Sequence, residues 1–122
     1  RKVTTHYGPI RVLHNVDMTI YPGEMVCLLG GNASGKSTTL KTILGIVRVS
    51  EGEMYFRGER ADKLSIAERV SRGVAVVPEN RRVFPKMTVK ENLEMGAYLR
   101  NKKNEIQEDL DYVMQLFPRL GE

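Results

Sequence analysis

The amino-acid sequence predicts an α/β fold. A pair of predicted strands and an apolar run near its start support that prediction. Val3–Tyr7 and Val12–Ile20 have the composition of strands, and the turn-forming Gly8-Pro9 between them indicates antiparallel pairing. The run Met25–Leu29 carries no alternation, ends in two glycines and precedes a helical pattern that begins near Lys36. An unbroken apolar run of this kind is typical of a strand covered on both faces, as in a parallel sheet.

The elements that follow continue this mixed order. From Lys36 the apolar positions recur with helical spacing, and Gly45 marks the expected end of that helix. Glu53–Phe56 predicts a short strand, and Val74–Val77 predicts a buried strand that ends at Pro78. Strands and a helix therefore alternate through this part of the chain.

Two capping boxes predict where further helices begin. Ser65 with Glu68 opens a short helix, and Thr88 with Glu91 opens an amphipathic helix that reaches about Arg100. In each pair the hydroxyl and the carboxylate accept hydrogen bonds from backbone N–H groups that the first turn leaves free.

A last helix is expected over Glu105–Phe117, with Asn104 as its N-cap and Pro118 at its end. Its apolar stripe is interpreted as plain core and consists of Ile106, Leu110, Val113, Met114 and Phe117. With the helix before it, this segment predicts a separate helical lobe.

Length and composition restrict the class of protein. The chain has 122 residues, 41% of them hydrophobic and 28% charged, which fits one globular domain rather than a disordered tail. No apolar run approaches the roughly 18 residues that a membrane helix needs, so a cytosolic or peripheral protein is expected. The formal net charge of +4 suits an anionic ligand, but several basic residues lie in predicted helix ends or loops, and no nucleic-acid partner is expected.

One segment matches the phosphate-binding pattern G-x-x-x-x-G-K-[ST] in full, and it lies between the predicted strand and the helix, as that chemistry requires. Glycines let the backbone wrap closely around an anion, and the N–H groups of the loop then face the phosphates. The segment consists of Gly30, Gly31, Asn32, Ala33, Ser34, Gly35, Lys36 and Ser37.

The types of side chain in this loop indicate ATP and Mg²⁺ as ligands. The ammonium of Lys36 is expected to bridge the β- and γ-phosphates, and the Ser37 hydroxyl to ligate the metal ion. Thr38 is a candidate for contact with the α-phosphate region. The loop alone does not choose between kinases, GTPases, helicases and transporter ATPases.

The flanking residues resemble successive landmarks of the ATP-binding-cassette (ABC) ATPases, in the family's order and spacing. The matching segments include Val12–Val16, Pro22–Glu24, Gly30–Leu40, Ser50–Gly52 and Phe84–Leu93. The resemblance spans nearly all of the chain and implies an incomplete P-loop ABC ATPase core, corresponding to the first half of such a domain. Residues 1–86 would then form the antiparallel β subdomain and P-loop core, and residues 87–122 the start of the helical subdomain.

Val77–Pro85 and Glu91–Tyr98 are similar to the ATP-binding subunits of branched-chain amino acid importers. This resemblance implies an ATPase that couples ATP binding and hydrolysis to transport. Related subunits that serve urea or other small amides remain alternatives, as do a soluble ABC ATPase without a transport role and a non-catalytic nucleotide-binding fragment. The implied partners are transmembrane permease subunits and a second ATP-binding subunit, and the implied location is peripheral, on the cytoplasmic face of the inner membrane.

The resemblance also implies roles for three sites outside the loop. Tyr7 matches the family's aromatic residue that stacks on adenine, although a strand-end tyrosine that packs on its own sheet is the alternative. Glu79 stands where the family usually has a glutamine that contacts Mg²⁺ and the attacking water, so it is a candidate catalytic and metal-binding residue beside Lys36. The loop of Arg81, Arg82, Phe84, Pro85 and Met87 would help to receive a permease helix.

Two motifs of the family do not occur in the 122 residues. They contain no Leu-Ser-Gly-Gly signature and no apolar run that ends in Asp-Glu, and neither His6 nor His14 has the position of the switch histidine. The 122 residues alone are therefore expected to bind nucleotide weakly and to be inactive in hydrolysis.

The predicted role of Lys36 leads to the first test. The substitution Lys36→Ala should leave the fold largely intact and abolish most of the affinity for MgATP, because it removes the ammonium that grips the phosphates. Titration calorimetry measures this affinity, and unchanged binding would refute the assigned role.

Overall fold

The computed structural model describes residues 1–80 and 82–121. They group into two compact units, Arg1–Val76 and Val77–Glu122. The first unit contains the strands and two helices, and the second contains two further helices. The boundary predicted after residue 86 differs from the division into these units, and that assignment of subdomains stays a prediction.

A three-stranded antiparallel sheet forms the first part of the unit Arg1–Val76. Its strands are β1 (Val3–Tyr7), β2 (Ile10–Val16) and β3 (Val49–Glu51), in the order β2-β1-β3. The predicted antiparallel pair is confirmed, with Tyr7 opposite Ile10 beside the turn. β2 ends at Val16 rather than at the predicted Ile20.

Polar side chains tie the three strands together. Thr4 and Thr5 of β1 are fully buried. The Ser50 hydroxyl of β3 donates to the carbonyl oxygen of Thr4 at 2.9 Å, and the Asn15 N–H donates to the Thr4 hydroxyl at 3.2 Å. The centre of this sheet is therefore held partly by hydrogen bonds, with Leu13 as a buried apolar residue of β2.

A small hairpin follows, formed by β4 (Tyr55–Phe56) and β5 (Glu59–Arg60). Arg57 and Gly58 make its two-residue turn with φ angles of 51° and 82°, and left-handed residues at both positions match the twist of a tight hairpin. The predicted strand Glu53–Phe56 is thus present in a shorter form.

The helices of the first unit begin where the sequence predicts. Helix α1 (Lys36–Leu44) ends at Gly45, whose φ of 86° is the left-handed conformation that closes many helices. Helix α2 (Ile66–Ser71) begins with the complete capping box of Ser65 and Glu68. The hydrogen bonds from Ser65 lower the pKa of the Glu68 carboxyl, because they stabilise its ionised form.

The second unit contains helices α3 (Val89–Gly96) and α4 (Lys103–Leu116), followed by a 3₁₀ turn over Pro118–Gly121. The Thr88 capping box is confirmed, but α3 ends at Gly96 rather than near Arg100. Glycine is a poor helix former, and the chain continues from there in single turns.

The predicted N-cap of α4 is wrong. The cap is Lys102, which makes no side-chain cap hydrogen bond, and Asn104 lies inside the first turn. The Lys102 ammonium instead pairs with Glu105 at 2.7 Å, so a local ion pair accompanies the earlier start. Leu110 is buried, Ile106, Val113 and Met114 are half-buried, and Phe117 is exposed, so the predicted stripe is only partly core.

Two predicted strands are wrong. Met25–Leu29 and Val74–Val77 have no regular secondary structure, and Met25 and Val77 are 97% and 94% exposed. A strand needs neighbours that accept and donate its backbone hydrogen bonds. In the described residues β1 pairs with β2 and β3, β4 pairs with β5, and no strand lies beside either apolar run, so the expected parallel sheet does not form there.

The capping box of α2 allows a direct test. Ser65→Ala should lower the free energy of unfolding by about 1 kcal/mol, because it removes the acceptor of the Glu68 N–H. Chemical denaturation followed by circular dichroism measures the loss. Ser71→Ala is the matched control, since its hydroxyl donates only to the carbonyl oxygen of Glu68, and an equal loss in both variants would contradict the capping role.

Candidate functional site

The glycine-rich segment forms a closed loop at the head of α1. Gly30 has a φ of 156° and Gly35 a φ of 91°, conformations that side-chain-bearing residues rarely adopt. Ala33 is also left-handed, with φ 62°, and the Ser34 N–H donates to the carbonyl oxygen of Gly31 at 3.3 Å. The backbone therefore turns back on itself before the helix begins.

The ammonium of Lys36 lies against this loop. It donates to the carbonyl oxygens of Gly30 and Gly31 at 2.6 Å each and is 3.3 Å from the Ser34 hydroxyl. A full positive charge is thus held against the backbone of a loop whose other side chains are uncharged. A phosphate oxygen could replace one of these acceptors and keep the ammonium hydrogen-bonded.

The first turn of α1 supplies backbone donors next to that charge. Gly35 caps the helix without a side-chain hydrogen bond, and the first helical bond runs from the Thr39 N–H to the Gly35 carbonyl oxygen at 2.8 Å. The N–H groups of Lys36, Ser37 and Thr38 therefore have no acceptor within the helix and favour an anion at its positive end. These groups and the lysine fit a bound polyphosphate.

The hydroxyl side chains of this turn differ in exposure. Ser37 is exposed and Thr38 is buried. Ser37 therefore has an accessible hydroxyl, which fits the predicted oxygen ligand of a magnesium ion. No group of three or more His, Cys, Asp or Glu residues is placed to hold a metal ion in the part of the chain that the structure describes, so a metal held here would also need oxygens from the phosphates or water.

Leu13 supports the loop from β2, a contact that sequence reasoning missed. A Cβ atom at Gly35 would lie 2.9 Å from the Leu13 Cδ2 atom. Leu13 is buried against the helix head, so the antiparallel hairpin and the loop are in contact. Leu13 lies within the predicted strand Val12–Ile20, but nothing in the sequence identifies Gly35 as its neighbour.

Tyr7 ends β1 and is 44% exposed. Its cross-strand partner is Ile10, also exposed, so an aromatic and an aliphatic side chain occupy directly opposed positions beside the turn of the hairpin. The ring is accessible for stacking, and its contact with adenine stays a prediction.

The remaining predicted residues lie in the second unit. Glu79 is exposed, and its roles in catalysis and metal binding stay predictions. Arg81 lies outside the described residues. Arg82, Phe84 and Pro85 are exposed and Met87 is half-buried.

Asn92 of α3 organises this loop, which the sequence did not reveal. Its carbonyl oxygen accepts from the Phe84 N–H at 2.8 Å, and its amide group lies 3.1 Å from the Phe84 carbonyl oxygen. The same amide group is within hydrogen-bond distance of the carbonyl oxygens of Met87 and Thr88. The side chain thus fixes the loop while Phe84 remains 51% exposed.

Among the helices of the described residues, none is both long enough and apolar enough to cross a bilayer.

The loop with its lysine, closed at the head of a helix and supported by a strand hairpin, defines a P-loop nucleotide-binding protein. A solved structure described as the ATP-binding subunit of an ABC transporter has this fold, with a TM-score of 0.84 and 29% identity. The match covers 99% of this chain and 50% of that one.

The family model described as ABC transporter matches residues 13–119, and the chain therefore belongs to the ABC transporter family. The high-affinity branched-chain amino acid transport ATP-binding protein BraG of Pseudomonas aeruginosa is 43% identical over 99% of this chain and 52% of its own length. The probable branched-chain amino acid transport ATP-binding protein LivF of Archaeoglobus fulgidus is 34% identical over 98% of this chain and 50% of its own. The ribose import ATP-binding protein RbsA of Caldanaerobacter subterraneus is 33% identical over 77% of this chain and 19% of its own. The chain spans about half the length of the first two relatives.

The contact between Gly35 and Leu13 generates a test with an internal control. Gly35→Ala should destabilise the protein by about 1–3 kcal/mol from the left-handed backbone alone, with a further loss from the clash with Leu13. Gly31→Ala should unfold like the wild type, because its Cβ atom would have no neighbour within 4 Å. Thermal unfolding compares the two variants, and equal stability of both would contradict the described loop.

Proposed function

We propose that this protein is the ATP-binding subunit of an importer for branched-chain amino acids, in which ATP binding and hydrolysis drive transport. The observation that carries the proposal is the Lys36 ammonium, held on the loop carbonyl oxygens beside the free N–H groups of α1. Phosphoryl transfer would be to water, as expected of a transport ATPase.

Different residues of this chain would contact different parts of the nucleotide. The loop amides and Lys36 bind the β- and γ-phosphates, with Lys36 exchanging a loop carbonyl oxygen for a phosphate oxygen. The Ser37 hydroxyl holds Mg²⁺, which neutralises charge on the same phosphate oxygens, and Thr38 lies next to the α-phosphate region. Tyr7 provides a stacking surface for adenine.

Glu79 is proposed as a catalytic and metal-binding residue. As a carboxylate it can ligate Mg²⁺, but it donates no hydrogen bond unless it is protonated. Its contribution therefore lies in metal binding and charge, and in accepting a proton or hydrogen bond from water, rather than in donating one.

The proposed solute follows from the relatives. The two named for branched-chain amino acid transport match nearly the whole chain, whereas the ribose relative matches 77% of it at 33% identity. Branched-chain amino acids are therefore the first substrates to test, with urea, small amides and ribose as competitors.

The proposed partners are transmembrane permease subunits and a second ATP-binding subunit, with the protein peripheral on the cytoplasmic face of the membrane. The loop over residues 82–87 is proposed to contribute to the permease contact. Exposed aromatic and charged side chains on a loop fixed by Asn92 suit a protein interface, because little conformational freedom is left to lose on binding. Residues 1–86 would serve as the nucleotide-binding core and residues 87–122 as the start of a helical subdomain.

Turnover by the 122 residues alone is proposed to be negligible. Their sequence contains no Leu-Ser-Gly-Gly stretch and no Asp-Glu that ends an apolar run, so neither a clamp for the γ-phosphate nor a general base of the family type is present in it.

Uptake by the assembled transporter tests the proposed function. The intact protein, reconstituted with its permease partners in proteoliposomes, should support MgATP-dependent uptake of labelled leucine, isoleucine or valine. Lys36→Ala should abolish uptake, because the ammonium no longer binds the phosphates. Lys41→Ala is the matched control, since Lys41 lies near the far end of the same helix. Binding of MgATP with uptake of ribose or urea instead would overturn the solute, and failure to bind MgATP would overturn the whole proposal.

A further inference from the structure

Arg69 of α2 is a buried cation whose hydrogen bonds have no place in the site described above. The residue is 3% exposed, although arginine is usually found at the surface. Its guanidinium donates to four backbone carbonyl oxygens, those of Leu64, Thr42, Ile43 and Asp62, at 3.0, 2.8, 2.8 and 3.3 Å. Burial lowers the pKa of this guanidinium, and the Asp62 carboxylate opposes the shift.

Two of these acceptors belong to the last turn of α1. The carbonyl groups of Thr42 and Ile43 lie among the final four of the helix, whose donors must come from outside its regular hydrogen bonds. The Gly45 N–H donates to the Thr42 carbonyl oxygen at 3.1 Å, and Arg69 adds a second donor to it. Gly45 leaves room for the contact, because a Cβ atom there would lie 2.9 Å from the Arg69 Nε atom. One guanidinium therefore joins the end of α1 to the segments that precede and form α2.

The other end of α1 is the phosphate-binding loop. The nine residues of the helix span about 13 Å at about 1.5 Å per residue, so about two and a half turns of hydrogen-bonded backbone connect its two ends. Leu13 contacts Gly35 at the N-terminal end of α1, and Arg69 holds the C-terminal end. Rotation of the C-terminal end would turn the N–H groups of Ser37 and Thr38 away from the phosphates.

Resting on the proposed nucleotide-binding function, we propose that Arg69 is a positioning residue that aligns the phosphate-binding amides through α1. The alignment comes from this fork, the set of hydrogen bonds that the planar guanidinium donates to backbone carbonyl oxygens, rather than from the positive charge of Arg69. A planar guanidinium reaches carbonyl oxygens in several directions at once, which a lysine ammonium on its flexible stem does not reproduce.

The test compares two arginine variants of α2 in the intact protein. Arg69→Met should weaken MgATP binding by about tenfold at a temperature where the variant is folded. It should also shift the amide resonances of Ser37 and Thr38 and speed their hydrogen exchange. Arg72→Met is the matched control, because Arg72 pairs with Glu59 at 3.6 Å and makes no hydrogen bond to α1. The control should bind MgATP within about twofold of the wild type.

Two further measurements separate the alternatives. Arg69→Lys keeps the charge and should recover only part of the affinity, so full recovery would overturn the fork mechanism. In the wild-type protein MgATP should slow exchange of the Arg69 Nε proton, because coupling between two sites is reciprocal, and this measurement needs no variant. Absence of that protection, or a folded Arg69→Met variant with wild-type affinity, would overturn the inference. If the wild type does not bind MgATP, it is the proposed function that fails.

Discussion

The hydrogen bonds from the Lys36 ammonium to the carbonyl oxygens of Gly30 and Gly31 are the constraint on which the site depends. They place a positive charge against the loop, next to the first turn of α1, whose leading N–H groups have no acceptor within the helix. The loop can close this tightly because Gly30 and Gly35 adopt φ angles that a side chain would make costly. Charge, donors and backbone shape thus coincide within eight consecutive residues.

Helix α1 connects the glycine-rich loop to residues that are distant in the sequence. The loop lies at its head, where Leu13 contacts Gly35, and the guanidinium of Arg69 lies at its tail. Within the helix, the buried Thr42 hydroxyl donates to the carbonyl oxygen of Thr38 at 2.7 Å and is thereby satisfied. The N-terminal amides of α1 are therefore linked through the helix to contacts with strand β2 and helix α2, both distant in sequence.

The predictions that were confirmed rest on local chemistry. The capping boxes at Ser65 and Thr88 were readable because the interacting groups are three residues apart. The end of α1 at Gly45 was readable because glycine alone adopts the left-handed conformation without strain. The strands predicted at Met25–Leu29 and Val74–Val77 are wrong. An apolar run indicates that a segment prefers burial, but a strand also needs a neighbouring strand with which to form hydrogen bonds, and the local sequence does not supply one.

The sequence by itself determined the family resemblance, the glycine-rich loop, its lysine and the helix that follows, because each depends on residues close together in the chain. Only the tertiary structure decided that Leu13 touches Gly35, that Asn92 holds Phe84, and that Arg69 reaches the end of α1. A lone arginine, asparagine or leucine in an amphipathic segment has the same local pattern whether it faces solvent or a distant backbone. Its partners become visible only when the chain has folded and brought remote carbonyl groups within hydrogen-bond distance.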